Sequence, residues 1–300
     1  MLKIELDKLI TEEINENTRN IDRVSTEKFL EVMNQEDKKV IEAIKEEIPK
    51  ISRLISYIVE SLKKDGRLIY IGAGTSGRLG ILDAAECPPT FGTDPSKVIG
   101  LIAGGENAIT KAVEGAEDSE ILGKEDLEKI KLSSKDVVIG LSASGRTPYV
   151  IGALEYARKI GCITGAISNN KDSKISKIAD VAIELLVGPE VLTGSTRLKS
   201  GSSQKMVLNM LSTGAMRGIG KIYENLMVDL KPTNIKLVER AKGIIMKATN
   251  VSYDEAERYL KLSNYNPKIS IVMIKNDCNF EDAKERLAKN SDILYKSIVN

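Results

Sequence analysis

The stretch VVIGLSASGRTPYV (137–150) decides the fold of this 300-residue chain. A short β-branched run, Val137–Leu141, passes straight into Ser142-Ala143-Ser144-Gly145-Arg146-Thr147, and Pro148 then opens a helical segment. Proline suits the first helical position because its φ is already fixed there and its missing N–H is one the helix does not use. The reading is strand, loop, helix. LIYIGAGTSGRLG (68–80) repeats the form, with Leu68–Ile71 as the strand. Further strands are expected at Val98–Ile102, Ile163–Ile167 and Val181–Leu185, with helices near 77–86, 107–130, 148–160 and 173–179. Strands alternating with helices predict an α/β protein, a doubly wound parallel sheet covered on both faces.

Working outward, apolar residues recur at helical spacing from Glu36 to Lys64 (Val40, Ile44, Ile48, Ile51, Ile55), until Asp65-Gly66 breaks the pattern. A long helix is expected from Ser202 to Leu226. Residues 1–35 read as a polar irregular arm, and 36–232 as the α/β domain. Residues 233–300 form a small helical bundle, with helices at about 234–248, 253–262, 266–275 and 280–297.

Composition removes whole classes of function. Lys+Arg number 44 against Asp+Glu 43, so the basic surplus that drives nucleic-acid affinity is missing. The three cysteines, Cys87, Cys162 and Cys278, are scattered and form no C-x-x-C pair, which argues against a zinc site or a disulfide framework. No apolar run is long enough to span a bilayer, and the charged N-terminus does not resemble a signal peptide, so the expected compartment is the cytoplasm. Histidine is absent, with a count of 0. Acid–base chemistry must therefore use Glu, Asp, Lys, Tyr or Cys, and a Ser-His-Asp triad or a histidine metal site is excluded.

Ligands of open α/β sheets sit beyond the carboxyl ends of the strands. There the first loop, Gly72-Ala73-Gly74-Thr75-Ser76-Gly77-Arg78, matches G-x-G-x-x-G. A dinucleotide site would want an acidic residue ending the second strand, but Val98–Ile102 runs into Ala103-Gly104-Gly105. The second loop gathers the hydroxyls of Ser142, Ser144 and Thr147 around Gly145 at a helix N-terminus, a setting that suits a phosphomonoester. The plain alternative is helix capping, for which one such residue is enough.

This S-x-S-G-x-T loop resembles the sugar isomerase (SIS) domain, which binds phosphosugars. The runs GAGTSGRLGILDAAECPPTFG (72–92), GLIAGGENAITKAVEGAEDS (100–119), ASGRTPYVIGALEYARKIGC (143–162), TGSTRLKSGSSQKMVLNMLSTGAM (193–216) and NLMVDLKPTN (225–234), with the arm TEEINENTRNIDRVST (11–26), resemble those of N-acetylmuramic acid 6-phosphate etherases. That resemblance implies an SIS fold followed by a small ubiquitin-associated-like helical bundle. It also implies elimination of D-lactate from C3 of an open-chain sugar, followed by addition of water. It implies no cofactor and no metal, and peptidoglycan recycling or amino-sugar catabolism as the setting. The family's two catalytic glutamates map onto Glu86, the acid that protonates lactate, and Glu117, the base at C2. The 6-phosphate falls to Thr75, Ser76, Ser142, Ser144, Gly145 and Thr147.

Read without the family, Glu86 ends a mostly apolar segment before Cys87-Pro88-Pro89, where a partly desolvated carboxylate would keep its proton near neutral pH. Glu117 lies among Glu114, Asp118 and Glu120 and reads equally as a solvated helix face. Arg78, Arg146, Arg197, Lys199 and Lys205 are candidates for the phosphate or the lactate carboxylate. Gly201-Ser202-Ser203-Gln204 reads as a further helix start facing the sugar. Cys87 has no activating histidine and reads as a packed residue. The expected partners are a phosphosugar and a second copy of the chain, pairing through the 202–226 helix. Rival readings are a phosphosugar-sensing regulatory protein without catalysis, an aldose–ketose isomerase and a dinucleotide enzyme.

Overall fold

The computed structural model describes residues 9–230, 232 and 234–298, so the first eight residues of the expected arm lie outside it. Within the described arm three short 3-10 turns occur between Ile10 and Arg23. The irregular segment ends earlier than the sequence suggested, because Ser25 accepts the Lys28 N–H and opens helix α1, Thr26–Lys63. One continuous helix thus replaces the last ten residues of the expected arm and the one or two helices beyond it. Its buried stripe, Val40, Ile44, Ile51, Leu54 and Ile58, keeps a helical spacing but takes in Leu54 and Ile58 where the sequence suggested Ile48, which is exposed, and Ile55, which is half-buried.

Five strands follow: β1 (Leu68–Gly72), β2 (Val98–Ile102), β3 (Val137–Leu141), β4 (Ile163–Ser168) and β5 (Val181–Glu184). All pair in parallel, in the order β2-β1-β3-β4-β5. Between them lie α2 (Gly74–Phe91), α3 (Asn107–Thr110), α4 (Glu120–Lys129), α5 (Pro148–Ile160) and α6 (Lys174–Ile178). Every residue of β1 and of β3 is buried, as a sheet covered on both faces requires. On one face Ile69, Ile71 and Val138 join Val150, Leu154 and Ala157 of α5 in a single core cluster. On the other, a Cβ built on Gly165 of β4 would meet Leu54 of α1 at 2.8 Å, so that helix lies directly on the strand.

Helix α7 (Lys199–Gly218) starts earlier and stops earlier than expected. The chain then turns back through a two-stranded hairpin, β6 (Ile222–Tyr223) and β7 (Leu226–Met227). Its apolar residues Val207, Leu208, Leu211, Ala215 and Met216 are buried in the chain's own core, leaving Met210 exposed. The helix therefore does not offer the apolar pairing surface that the sequence suggested. The expected helix at 107–130 is also broken, where Lys111 turns extended and Gly115 takes φ +75°.

The chain divides into two compact units, one of residues up to Ala85 with Ser96–Ser212, the other of Glu86–Pro95 with everything from Thr213. The second holds α8 (Ile235–Thr249), α9 (Tyr253–Leu262), α10 (Pro267–Asn276), α11 (Phe280–Lys289) and α12 (Leu294–Ser297) around Ala241, Ile245, Leu260, Ile271 and Leu287. The last expected helix, 280–297, is split in two where Ser291 and Asp292 take positive φ. Lys268 is 1% exposed, yet its ammonium meets Asp229 at 2.6 Å and Asp292 at 2.7 Å. A buried lysine needs such partners, and these bind the segment after β7 to the C-terminal turn.

Candidate active site

Strands β1 and β3 are neighbours, with Gly72 opposite Leu141, and the chain leaves them toward opposite edges of the sheet. That is the topological switch point at which such sheets bind ligands. Both loops singled out in the sequence start there. Gly77 lets α2 close down on β1: a Cβ on it would stand 2.7 Å from the Gly72 carbonyl oxygen and 2.6 Å from Ile102. Ser76 is thereby buried at the start of the helix, with Thr75 half-buried beside it.

The second loop brings its three hydroxyls together. Ser142 Oγ stands 2.8 Å from Thr147 Oγ1 and 3.3 Å from Ser144 Oγ. Thr147 occupies the N-cap of α5 but makes no side-chain cap bond, so capping does not account for its hydroxyl. Gly145 takes φ +67°, and a Cβ there would meet Ser173 at 2.3 Å. Its own N–H donates to the Ser142 hydroxyl at 3.0 Å and to the Ser142 carbonyl, so in this arrangement it serves the loop's shape rather than offering a donor. Behind the loop, Tyr149 donates to Asp126 at 2.7 Å, tying α5 to α4. Burial and that carboxylate push the phenol well above its usual range, so it stays protonated.

Glu117 sits exposed on a single 3-10 turn, Ala116–Asp118. It lines a cavity of about 150 Å³ together with Glu114, Ala73, Gly74 and Arg78, which brings it beside the first loop. Arg78 is held by the backbone. Its guanidinium donates to the carbonyls of Ile109 at 2.9 Å and Lys111 at 3.1 Å, bracing the loop that carries Glu117.

Glu86 lies on α2, which continues through Pro88 and Pro89 to Phe91 instead of ending before them. The expected desolvation is not seen, since Glu86 is exposed. It shares a stripe of α2 with Thr75, Leu79 and Leu82. Its neighbour Cys87 is 2% exposed, in keeping with a packed residue.

The first turn of α7 lies against the first loop, since a Cβ on Gly201 would stand 3.5 Å from Thr75 Cγ2. It is nevertheless unavailable to an anion. The fully buried Glu190 carboxylate takes the Lys199 and Ser200 N–H groups at 3.0 and 2.8 Å, and those of Gly201 and Ser202 go to Thr196 and Leu198. Lys199 is 0% exposed, and its ammonium donates to Glu36 at 2.7 Å, which withdraws it from the substrate candidates. Burial alone would raise the Glu36 carboxyl. Hydrogen bonds from Lys199, Lys39, Asn17 and Asn15 outweigh it and hold the group at about 2. Arg197 and Lys205 are exposed.

Sequence reading missed Asn169 and Asn170, which follow β4 beside the second loop. Two amide side chains directly after an apolar strand, and next to the strand carrying the hydroxyls, were the available signal.

A parallel sheet with a hydroxyl-lined loop at its switch point defines a phosphosugar-binding domain of the SIS class. The family model described as "SIS domain" matches residues 111–214. Those for the N-terminal SIS domain and the C-terminal lid domain of glucokinase regulatory protein match 50–158 and 224–278. The chain belongs to the N-acetylmuramic acid 6-phosphate etherase family. It is 58% identical to the etherase of Oceanobacillus iheyensis over 97% of this chain and 99% of the relative. The etherase of a Geobacillus species is 55% identical over 98% and 99%, and that of Clostridium botulinum, strain Loch Maree, 55% over 99% of both. Among solved structures, a phosphoheptose isomerase from Francisella tularensis is similar at TM-score 0.47 and 15% identity, over 65% of this chain and 99% of that one.

Proposed function

We infer that this chain cleaves the D-lactyl ether of N-acetylmuramic acid 6-phosphate, releasing D-lactate and N-acetylglucosamine 6-phosphate. The observation that carries this reading is the cluster of Ser142, Ser144 and Thr147 hydroxyls at the β1/β3 switch point, of which Thr147 makes no cap bond. Three convergent hydroxyls suit the several free oxygens of a phosphomonoester, with Thr75 and Ser76 on the adjoining loop and Gly145 shaping the turn.

Glu117 is the base that takes the proton from C2, made acidic by the C1 aldehyde of the open-chain sugar. The C3–O bond then breaks, and Glu86 supplies the proton that leaves with lactate. Water adds to C3 of the unsaturated aldehyde, with Glu86 as the base that takes its proton and protonated Glu117 as the acid that returns a proton to C2. Arg78, by bracing the 109–111 backbone, keeps Glu117 where the C2 proton is.

We assign Glu86, exposed on α2, to the site of a second copy, in a homodimer. Ile41 and Ile48, one heptad apart on α1 and 52% and 51% exposed, are better placed to pair two copies than α7. A cytoplasmic location fits a phosphorylated substrate, and among the described residues no helix is long and apolar enough to cross a membrane.

The test is incubation of the purified protein with N-acetylmuramic acid 6-phosphate and assay of D-lactate. Stoichiometric release is expected; binding without release would favour a phosphosugar sensor, and a new phosphosugar without acid an isomerase.

A further inference from the structure

The carbonyl of Ala143, between the two serines of the second loop, is held from behind. It accepts the Asn169 N–H at 2.9 Å and the Asn170 side-chain amide at 3.0 Å. A trans peptide points its C=O and N–H in opposite directions. Gripping this carbonyl therefore turns the Ser144 N–H away from Asn170 and sets the plane on which the Ser144 hydroxyl is carried.

The same side chain reaches the N-terminal arm. Asn170 Oδ1 accepts the Ile10 N–H at 2.8 Å, and its Nδ2 donates to Thr11 Oγ1 at 3.2 Å. Asn170 and Thr11 are 4% and 1% exposed, so water does not compete for these bonds. The arm is pinned in turn: Asn15 donates to Glu36 and to the Pro189 carbonyl, and Thr18 to the Val191 carbonyl.

A primary amide presents an acceptor on one side and donors on the other, and only its surroundings decide which faces where. The Ile10 N–H demands Oδ1 on the arm side, which leaves Nδ2 for Ala143. A flipped amide would set its oxygen against the Ala143 carbonyl oxygen, acceptor to acceptor.

We propose that Asn170 is a positioning residue for the substrate's 6-phosphate, and that Ile10 and Thr11 of the arm hold its amide in the orientation that keeps the Ser142–Thr147 loop formed. This inference rests on the phosphate reading of that loop. The arm then acts on phosphate affinity without touching the substrate.

The experiment measures KM and kcat for D-lactate release, and the inhibition constant of inorganic phosphate as competitor, in Asn170→Ala, Thr11→Val and Thr11→Ser, with Ser142→Ala as the reference. Loss of one buried hydrogen bond corresponds to about tenfold. Asn170→Ala should raise both KM and the phosphate inhibition constant about tenfold while kcat stays within about threefold. Thr11→Val should raise both by a smaller factor, and Thr11→Ser, which keeps the hydroxyl, should restore them. If Ser142→Ala weakens phosphate but Asn170→Ala and Thr11→Val do not, the positioning role is wrong. A change confined to kcat overturns it equally. If Ser142→Ala leaves phosphate inhibition untouched, the phosphate reading of the loop has failed instead. The Thr11 pair keeps the question decidable should Asn170→Ala not fold.

Discussion

If Glu117 and the Glu86 that serves it come from different copies, two dead variants should rescue each other. Glu86→Gln and Glu117→Gln are each expected to lose nearly all lactate release, since each removes one of two proton-transfer groups, and such groups contribute about 10²–10⁴-fold. Glu86 is exposed and so is Glu117, so neither change disturbs the core. Co-expressed in equal amounts with distinguishable tags, the two chains form mixed dimers in about half of all cases, by random pairing of two equivalent partners. In a mixed dimer one site has intact Glu117 from one chain and intact Glu86 from the other, while its twin has neither. One working site in half of the dimers amounts to about a quarter of wild-type activity by the same random pairing. Isolation of the doubly tagged species should raise this to about half. Were both glutamates of a site supplied by one chain, every site would lack one of them and the mixture would stay as inactive as its parents. That result would refute a site shared between two copies.

Other outcomes follow from single contacts. Gly145→Ala places a Cβ 2.3 Å from Ser173 at φ +67°, and the αL conformation alone costs about 1–2 kcal/mol; a lowered melting temperature and a raised KM are expected, checked by thermal unfolding and lactate assay. Arg78→Lys keeps the charge but loses the two-pronged grip on Ile109 and Lys111, so kcat should fall about tenfold with KM little changed. Lys199→Met removes one of four hydrogen-bonding partners of the buried Glu36 carboxylate, leaving Lys39, Asn15 and Asn17, and should destabilise by about 1–3 kcal/mol, read from urea unfolding. The Glu36 carboxyl is depressed in the folded state, so its stabilisation is fully present above its ordinary range near 4.5 and is lost as pH falls toward about 2. Wild-type stability should decline across that window, and the Lys199→Met variant should decline less.

The layout of the sheet was legible because its signals are local. Each strand is a short β-branched run, and Pro148 and Ser142–Thr147 mark a strand-to-helix turn without reference to the rest of the chain. Where the reading went astray, the deciding contact was distant. Arg78 and Lys199 look like anion ligands in a sequence. Only the fold shows that one is spent on backbone carbonyls thirty residues on and the other on Glu36 of α1. Glu86 looked half-buried because its neighbours are apolar, yet α2 runs on through two prolines and turns that face outward. The apolar pattern of α7 was real but served the chain's own core. Asn170 was invisible for a related reason: its meaning lies in Ile10 and Ala143, far from it in the sequence.

Which carbon–oxygen bond breaks decides the mechanism. Elimination across C2–C3 leaves the ether oxygen on lactate and takes the new C3 hydroxyl from water. Turnover of N-acetylmuramic acid 6-phosphate in ¹⁸O-labelled, deuterated water, followed by mass spectrometry of both products, reads this directly. ¹⁸O at C3 and one carbon-bound deuterium, at C2, should appear in the N-acetylglucosamine 6-phosphate and no ¹⁸O in the lactate; label in the lactate, or a sugar product without deuterium at C2, would contradict it.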